Sequence, residues 1–305
     1  MNGVLVIDKP KGWTSHDVVA RVRNVLKVKK AGHGGTLDPL ATGVLPIYLG
    51  EATKLVPFNL EGIKEYVATL RFGQETDTLD ADGKIVAETQ EFFFTREKIE
   101  DSLKSFRGTI RQRPPAFSAI KNGGIPVYRK ARAGEKPQLA ERKAVIHSLE
   151  LREVSLPYAT IAVTCGRGTY IRSLADDIGR ALGCGAHVFE LRRLRSGRFT
   201  LEQAIPMEEF ANRAERGTIR ERVLPLKDSV DLAATIQVES ETGRKIKQGR
   251  SICLQELAES EQALLKAGQR VGLCESPNSL LAIAETRREG TSPELELRIL
   301  RVFHL

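Results

Sequence analysis

The sequence has few of the features that mark membrane, secreted or zinc-binding proteins. It has no run of about 18 apolar residues, so no transmembrane helix is expected. Its first residues lack the long apolar segment and small-residue cleavage site of a secretory signal. Its four cysteines (Cys165, Cys184, Cys253 and Cys274) are far apart and fit neither a zinc site nor the disulfide framework of a small secreted domain. These absences predict a cytoplasmic protein.

Motifs for nucleotide binding and for hydrolytic nucleophiles are also missing. The phosphate-binding pattern G-x-x-x-x-G-K-[ST] does not occur, and neither does the serine elbow G-x-S-x-G. Gly166 and Gly168 lie between a predicted strand and a predicted helix, as in a dinucleotide fingerprint. Ile171, however, occupies the position of the third glycine, where its side chain would crowd the helix against the sheet. The pattern does not favour a Rossmann site.

Metal-binding patterns are incomplete as well. The acidic segment from Asp77 to Gly83 superficially resembles a calcium loop, but Leu79 and Ala81 occupy positions where an EF-hand needs oxygen ligands. A turn between two strands is the better interpretation. The five histidines show no H-x-x-x-H spacing. We therefore expect no metal ion.

The charge is the first positive signal. With 47 Lys and Arg against 39 Asp and Glu, the chain carries a formal net charge of +8 and has a pI near 9.3. Such a balance favours polyanionic partners such as nucleic acid. A solvated basic surface on an ordinary enzyme would give the same composition, so charge alone does not decide between the two.

The first 50 residues change from regular to irregular patterning. Gly3 to Ile7 is apolar and β-branched, as in a strand. Thr14 or Ser15 can cap a helix whose apolar residues recur with a 3.6-residue period. From Ala31 to Gly50 the periodicity vanishes and glycines are frequent, which predicts an irregular, functional segment. The apolar face of the predicted helix comprises Val18, Val19, Val22, Val25 and Leu26.

The remaining patterns mix strands and helices. Strands are predicted at 66–72, 145–151 and 159–165, and helices after Thr95 and from Ile171 to Gly183. No steady βαβ rhythm appears, which favours an α+β fold. Residues 111–143 form a loop-rich basic insertion, and residues from 232 onward have the short strand-like runs of a small, mainly β domain. We thus divide the chain into domains at 1–231 and 232–305.

One acidic residue stands out in the irregular segment. Asp38 lies in the run from Gly32 to Pro46, among glycines and small or apolar residues, with no second acid beside it. From the residues alone, a turn aspartate that caps its own backbone and a functional carboxylate are both possible.

Several runs in the first 200 residues closely resemble the bacterial tRNA pseudouridine(55) synthase family, of the stand-alone B type. The runs span Asp8–Asp17, Gly32–Pro46 with the later Tyr66, Gln74–Gly83, Thr169–Ala175 and Leu191–Arg193. The resemblance implies a pseudouridine synthase fold with a mixed, largely antiparallel sheet. It also implies isomerisation of uridine 55 in the T loop of tRNA, by base flipping and without a cofactor.

The resemblance assigns roles to individual residues. Asp38 matches the family's nucleophile, and Arg172 matches the cation that favours its charged form in a closed pocket. Tyr66 matches the catalytic-site tyrosine that stacks on the target uracil. Further matches are substrate-binding residues, namely His33, which enters the T loop, and the pocket residues Tyr170 and Leu191. Lys9 and Pro10 match structural supports of the site.

Partners follow from the same likeness. The insertion at 111–143 resembles a thumb that clamps the RNA stem, and residues 232–305 match in place and size the RNA-binding module called PUA. Phosphate contacts from the basic residues of the insertion would position the RNA without reading the RNA sequence. We expect a monomer that binds the T-arm stem-loop of tRNA without an obligatory protein partner and without a membrane. The alternatives are a guide-RNA-dependent synthase and an RNA-binding or tRNA-folding chaperone with secondary catalysis.

Overall fold

The computed structural model describes residues 1–117, 121–122, 125–127, 139–250, 252–254, 257–262, 265–276, 279–288 and 295–304. The strands are β1 (Gly3–Lys9), β2 (Ala31–His33), β3 (Thr42–Leu49), β4 (Lys64–Phe72), β5 (Gln74–Thr76), β6 (Ile85–Glu88), β7 (Gly108–Gln112), β8 (Lys121–Asn122), β9 (Ile125–Pro126), β10 (Arg142–Ser155), β11 (Tyr158–Cys165), β12 (Ala186–Ser196), β13 (Phe199–Thr200), β14 (Ile205–Pro206), β15 (Val223–Leu224), β16 (Ala234–Gln237), β17 (Ile252–Cys253), β18 (Arg270–Ser276), β19 (Ser279–Arg288) and β20 (Leu295–Val302). The α-helices are α1 (Ser15–Leu26), α2 (Val56–Asn59), α3 (Arg96–Lys104), α4 (Ile171–Leu182), α5 (Met207–Glu215), α6 (Ser240–Lys247) and α7 (Glu259–Gln262). Short 3-10 helices occur at Gly50–Leu55, Leu201–Gln203, Ile219–Arg222 and Lys227–Ser229.

A large mixed sheet organises the first part of the chain. Its strand order is β14-β1-β3-β12-β4-β11-β10-β7. The pairs β1–β14 and β3–β12 are parallel, and the other neighbours on this path are antiparallel. Helices α1, α3, α4 and α5 contribute to the same apolar core on one face of the sheet. The predicted α+β fold with a largely antiparallel sheet is confirmed.

The first helix forms where its cap and period predict it. The Thr14 side chain accepts a hydrogen bond from the backbone of Asp17, and the Asp17 side chain accepts one from the backbone of Thr14. This capping box satisfies N–H groups that lack helical partners. Val18 and Val22 are fully buried on the core face, and Lys27 ends the helix in the left-handed region with φ 51°.

The expectation that Ala31 to Gly50 is irregular throughout is wrong. β2 and β3 occupy both ends of this segment, and only residues 34–41 lie outside strands and helices. After its first residue, β3 is buried at every position. Strand patterns alternate only when one face meets water, so a strand covered on both faces shows no period of two.

The C-terminal residues form a second sheet with strand order β16-β18-β19-β20-β17, next to the short helices α6 and α7. This unit has its own apolar core. It also shares a core with the face of the large sheet opposite the helices, where Val4, Val6, Val44 and Tyr48 pack with side chains of β18, β19 and Phe303. Lys54 Nζ donates to the Val302 carbonyl at 3.1 Å across the same boundary.

The ends of the predicted insertion are part of the sheet. β7 continues to Gln112 and β10 begins at Arg142, and the two strands pair with each other. Between them the structure describes residues 113–117, the short pair β8–β9, Val127 and residues 139–141. Lys130, Arg132 and Lys136 belong to the basic insertion that we expect to clamp the RNA stem, and they lie outside the described residues. In the described part of the chain, no helix combines the length and the apolar character needed to span a membrane.

Candidate functional site

Asp38 lies in the loop 34–41, which connects β2 to β3. Ser15, the first residue of α1, holds this loop because its hydroxyl accepts from Leu37 N at 2.8 Å and donates to Leu37 O at 3.0 Å. On the other side of Asp38, the Gly12 amide donates to the Pro39 carbonyl at 2.8 Å. The backbone is thus fixed both before and after Asp38, while the Asp38 side chain is 34% exposed.

Arg172 meets the Asp38 carboxylate from the start of α4. Its Nη2 donates to Asp38 Oδ1 at 3.0 Å. Its Nε lies 3.0 Å from Asp38 Oδ2 as an ion-pair contact without hydrogen-bond geometry. The Arg172 side chain is only 6% exposed, so its guanidinium is enclosed within the site. The structure brings together the two residues predicted as nucleophile and cation.

Arg172 is itself held by a network that the sequence did not reveal. Nη1 donates to Thr78 O at 2.9 Å and lies 3.4 Å from Asp80 Oδ2, and Nη2 also donates to Phe117 O at 2.9 Å. Thr78 Oγ1 donates to Asp80 Oδ1 at 2.6 Å. Burial raises the pKa of Asp80, whereas the Thr78 hydrogen bond and the Arg172 charge lower it. Arg172 therefore lies between two carboxylates, a buried one and a partly exposed one.

Tyr66 forms part of the same site from the middle of the sheet. It lies on β4 and is 8% exposed. Burial raises the pKa of its phenol, while the charge of Arg193 and a hydrogen bond with that residue lower it. The phenol is therefore protonated at neutral pH, and its ring is available as an apolar surface.

These residues line one cavity of about 650 Å³. Six of the eight predicted site residues border it, namely His33, Asp38, Tyr66, Tyr170, Arg172 and Leu191. This volume falls within the range of about 300–1,000 Å³ that is usual for small-molecule sites.

The three remaining wall residues differ in how they are held. Leu191 is 7% exposed on β12. The backbone of Tyr170 is paired with the Gln112 side chain through bonds of 3.1 and 3.2 Å. Burial lowers the pKa of His33, the charges of Arg193 and His16 lower it further, and its Nδ1 is buried without a hydrogen-bond partner among the described residues.

Lys9 and Pro10 lie behind the cavity wall. Lys9 is fully buried, and its Nζ donates to the carbonyls of Pro10, Trp13 and Pro39 at 2.9, 2.6 and 3.2 Å. Burial lowers the pKa of Lys9 to about 8, although the Asp38 charge opposes this shift. The geometry ties the Pro10–Trp13 turn to the backbone next to Asp38.

The arrangement suits covalent catalysis by a single carboxylate. Asp38 is accessible, whereas the nearby Asp80 is buried and engaged by Thr78 and Arg172. An ionised carboxylate paired with a fixed guanidinium can attack an electrophilic carbon and form an intermediate that divides a difficult step into two easier ones.

Sequence reasoning missed two residues of the site. Asp80 was assigned to a turn between strands, which is correct for β5 and β6 but omits its contact with Arg172. Arg193 borders the cavity while 1% exposed. The available signal for Arg193 was its position two residues after Leu191, which places both side chains on the same, buried face of β12.

Comparison with known proteins agrees with this geometry. Residues 23–171 match the model of the TruB family pseudouridylate synthase N-terminal domain, and residues 172–231 match the tRNA pseudouridylate synthase B C-terminal domain. The chain is 40% identical to a tRNA pseudouridine synthase B of Geobacter sulfurreducens, over all of both proteins. It is 42% identical to that of Syntrophus aciditrophicus, over all of this chain and 99% of the relative.

Solved structures show the same architecture. A Cbf5-Nop10-Gar1 complex contains a chain with a TM-score of 0.75 and 29% identity, over 99% of this chain and 85% of that one. An H/ACA RNP bound to a substrate RNA containing 2′-deoxyuridine gives a TM-score of 0.74 and 28% identity, over 99% and 85%. By fold, family models and full-length relatives, the chain belongs to the TruB family of pseudouridylate synthases and is an isomerase.

Proposed function

We propose that this chain converts uridine 55 in the T loop of tRNA to pseudouridine, with Asp38 as the nucleophile. The observation that carries the proposal is the Asp38–Arg172 pair at the edge of a cavity of nucleotide size. The substrate class is supported by the relatives named tRNA pseudouridine synthase B. The choice of position 55 rests on the motif resemblance around Asp38.

In the proposed reaction, the target uridine leaves its stack and enters the cavity. The N1–C1′ bond breaks, the base rotates, and C5 bonds to C1′, while the proton leaves C5 and N1 gains one. Substrate and product are isomers, so no oxidant, reductant or cofactor is consumed. Tyr66 and Leu191 would support the flipped base, because stacking partly replaces the contacts that the base loses on extrusion.

Other parts of the chain would hold the rest of the RNA. We propose that the insertion at 111–143 contacts the stem and that residues 232–305 form a PUA-like RNA-binding domain beside a catalytic domain at 1–231. Arg244, Lys247 and Arg250 are exposed at the end of α6 and just after it. His33 would contact the T loop from the cavity wall, and a cytoplasmic monomer would suffice for the activity.

The test is to incubate the purified chain with a bare T-arm stem-loop and with full-length tRNA, and to map every pseudouridine formed. We expect one modified T-loop uridine. Asp38→Asn should abolish product while retaining much of the RNA affinity. Asp101→Asn, an exposed change on α3, serves as the matched control. Undiminished turnover by Asp38→Asn would remove Asp38 from the mechanism.

A second candidate is a guide-RNA-dependent synthase. It is favoured by the similarity to chains solved in complexes with Nop10 and Gar1 and in an H/ACA RNP. The same experiment separates the two, because a guided enzyme would leave the bare stem-loop unmodified. The full-length relatives named tRNA pseudouridine synthase B support the stand-alone enzyme.

A further inference from the structure

Arg193 occupies the centre of the large sheet. Its strand β12 lies between β3 and β4, where Arg193 is in register with Gly43 on one side and Tyr66 on the other. The residue is 1% exposed and is among the largest fully buried side chains of the described chain. A Cβ atom at Gly43 would lie 2.2 Å from the Arg193 carbonyl oxygen, so glycine is required for this close approach of β3 to β12.

The guanidinium bonds to both ends of the loop that carries Asp38. Nε donates to Val44 O at 2.8 Å, after the loop. Nη2 donates to Gly35 O at 3.0 Å, and Nη1 makes a longer contact of 3.5 Å with Thr36 O, at the start of the loop. The ion pairs found among the described residues give Arg193 no carboxylate partner. Backbone oxygens thus hold a full positive charge.

The positive charge of Arg193 also affects titratable residues around the cavity. Burial raises the pKa of Tyr66, and both the Arg193 charge and a hydrogen bond with Arg193 lower it. Burial lowers the pKa values of His33 and Lys64, and the Arg193 charge is the next largest cause that lowers both. Arg193 is therefore linked to the Asp38 loop by hydrogen bonds and to the cavity wall by its charge.

We propose that Arg193 is a positioning residue for the reaction, which holds the Asp38 loop in fixed relation to Tyr66 on the neighbouring strand while the base rotates. This inference rests on the proposed function. Arg193 acts indirectly, because its surface is almost entirely covered. Its donors reach backbone carbonyls at both ends of the Asp38 loop, and Tyr66 lies beside it on β4.

The first test is a double-mutant cycle with Arg193→Lys and Tyr66→Phe, measured on a T-arm stem-loop. Lysine keeps the charge but lacks the planar fork that reaches several carbonyls. We expect Arg193→Lys to lower kcat by roughly 10- to 100-fold, the scale of a misplaced catalytic group, with KM changed by less than about 2-fold. The two losses should not multiply in the double variant, because Arg193 and Tyr66 are cross-strand neighbours and neighbouring residues that act together are non-additive.

The matched control is Arg192→Lys on the same strand. Arg192 pairs with Asp8 at 2.7 Å and is more exposed, so its turnover should stay near that of the unmodified chain. Full turnover by Arg193→Lys, or losses that multiply in the double variant, would overturn the positioning role. Failure of both Arg193→Lys and Arg193→Gln to fold would assign Arg193 a purely structural role instead.

The second test needs no activity. In Arg193→Gln the charge is removed, so the pKa of His33, measured by NMR and assigned with His33→Gln, should rise. In Arg193→Lys it should change less. An unchanged His33 pKa in Arg193→Gln contradicts the inference. If the unmodified chain forms no pseudouridine, the proposed function fails, while this titration still tests where the Arg193 charge lies.

Discussion

Replacing Arg172 by methionine removes the guanidinium but keeps an apolar side chain of similar length. The variant loses the contacts of Arg172 with Asp38 and Asp80 and the hydrogen bonds to Thr78 O and Phe117 O. Asp80, which is 5% exposed, keeps its charge without its cation. Removing one partner of a buried pair costs about 3–5 kcal/mol of stability. The Asp38 side chain is 34% exposed and remains hydrated, so losing the Arg172 guanidinium beside it costs little stability. The loss of this contact lowers mainly the reaction rate.

Turnover should therefore fall by about 100-fold, since Asp38 loses the group that fixes its orientation. The assay is single-turnover pseudouridine formation, together with denaturant unfolding of the same samples. The control is Lys104→Met on α3, because Lys104 is 66% exposed and pairs at 2.6 Å with Asp101, which is 70% exposed. That change should cost only about 0.3–0.5 kcal/mol.

The stability lost in Arg172→Met should depend on pH through the charge of Asp80. Burial already raises the pKa of Asp80, and Arg172 opposes the shift. Without Arg172 the folded-state pKa rises further above the unfolded value. Such a carboxyl binds its proton more tightly in the native state, so stability is lost as pH rises through the folded pKa. The deficit of Arg172→Met should shrink when the pH falls from about 7 to about 5. Equal deficits at both pH values, or an equally damaged Lys104→Met, would refute this reasoning.

The remaining predictions concern the support of the site and its contact with RNA. Burial lowers the pKa of Lys9 to about 8, so above that pH the unfolded chain binds more protons than the folded chain. The free energy of unfolding should therefore rise from about pH 8 to about pH 10. Denaturant unfolding of Lys9→Met should lack this rise. Gly43 has φ +100°, and a Cβ atom there would lie 2.2 Å from Arg193 O, whereas Gly12 has φ +82° and open space. Gly12→Ala should therefore lose about 1–2 kcal/mol of stability, and Gly43→Ala should lose far more. Similar losses would mean that β3 and β12 do not approach so closely. Trp13 is the sole tryptophan, is 37% exposed and directly precedes residues that line the cavity, so its fluorescence should change when a T-arm stem-loop binds. The affinity read from that signal should fall steeply with salt, because phosphate contacts release counterions; a flat dependence would mean that the basic surfaces do not contact the RNA backbone.

Local sequence signals predicted most elements because they act over a few residues. Thr14 and Thr95 cap the helices that follow them, and Gly183 ends α4 in the left-handed region with φ 81°. The strand predicted at 66–72 is part of β4, whose burial alternates and places Tyr66 and Ala68 on the buried face. β3 was missed because it is covered on both faces and has no period of two.

The site was only partly predictable because it depends on contacts between distant segments. Arg172 and Asp38 are 134 positions apart, and from the residues alone Asp38 was also compatible with a turn. The resemblance to known motifs singled out Asp38 and Arg172. It gave no role to Asp80 or Arg193, whose importance appears only when the partners of each charge are known.

The core shared by the large sheet and the C-terminal unit limits how the two can be studied apart. Deleting residues 232–305 would uncover Val4, Val6 and Tyr48, which pack against that unit. A truncated protein would thus expose an apolar face that promotes aggregation. A loss of RNA binding could then not be distinguished from an effect of aggregation. Charge-reversing substitutions on the exposed residues of α6, made in the intact chain, are the cleaner way to measure what this region contributes.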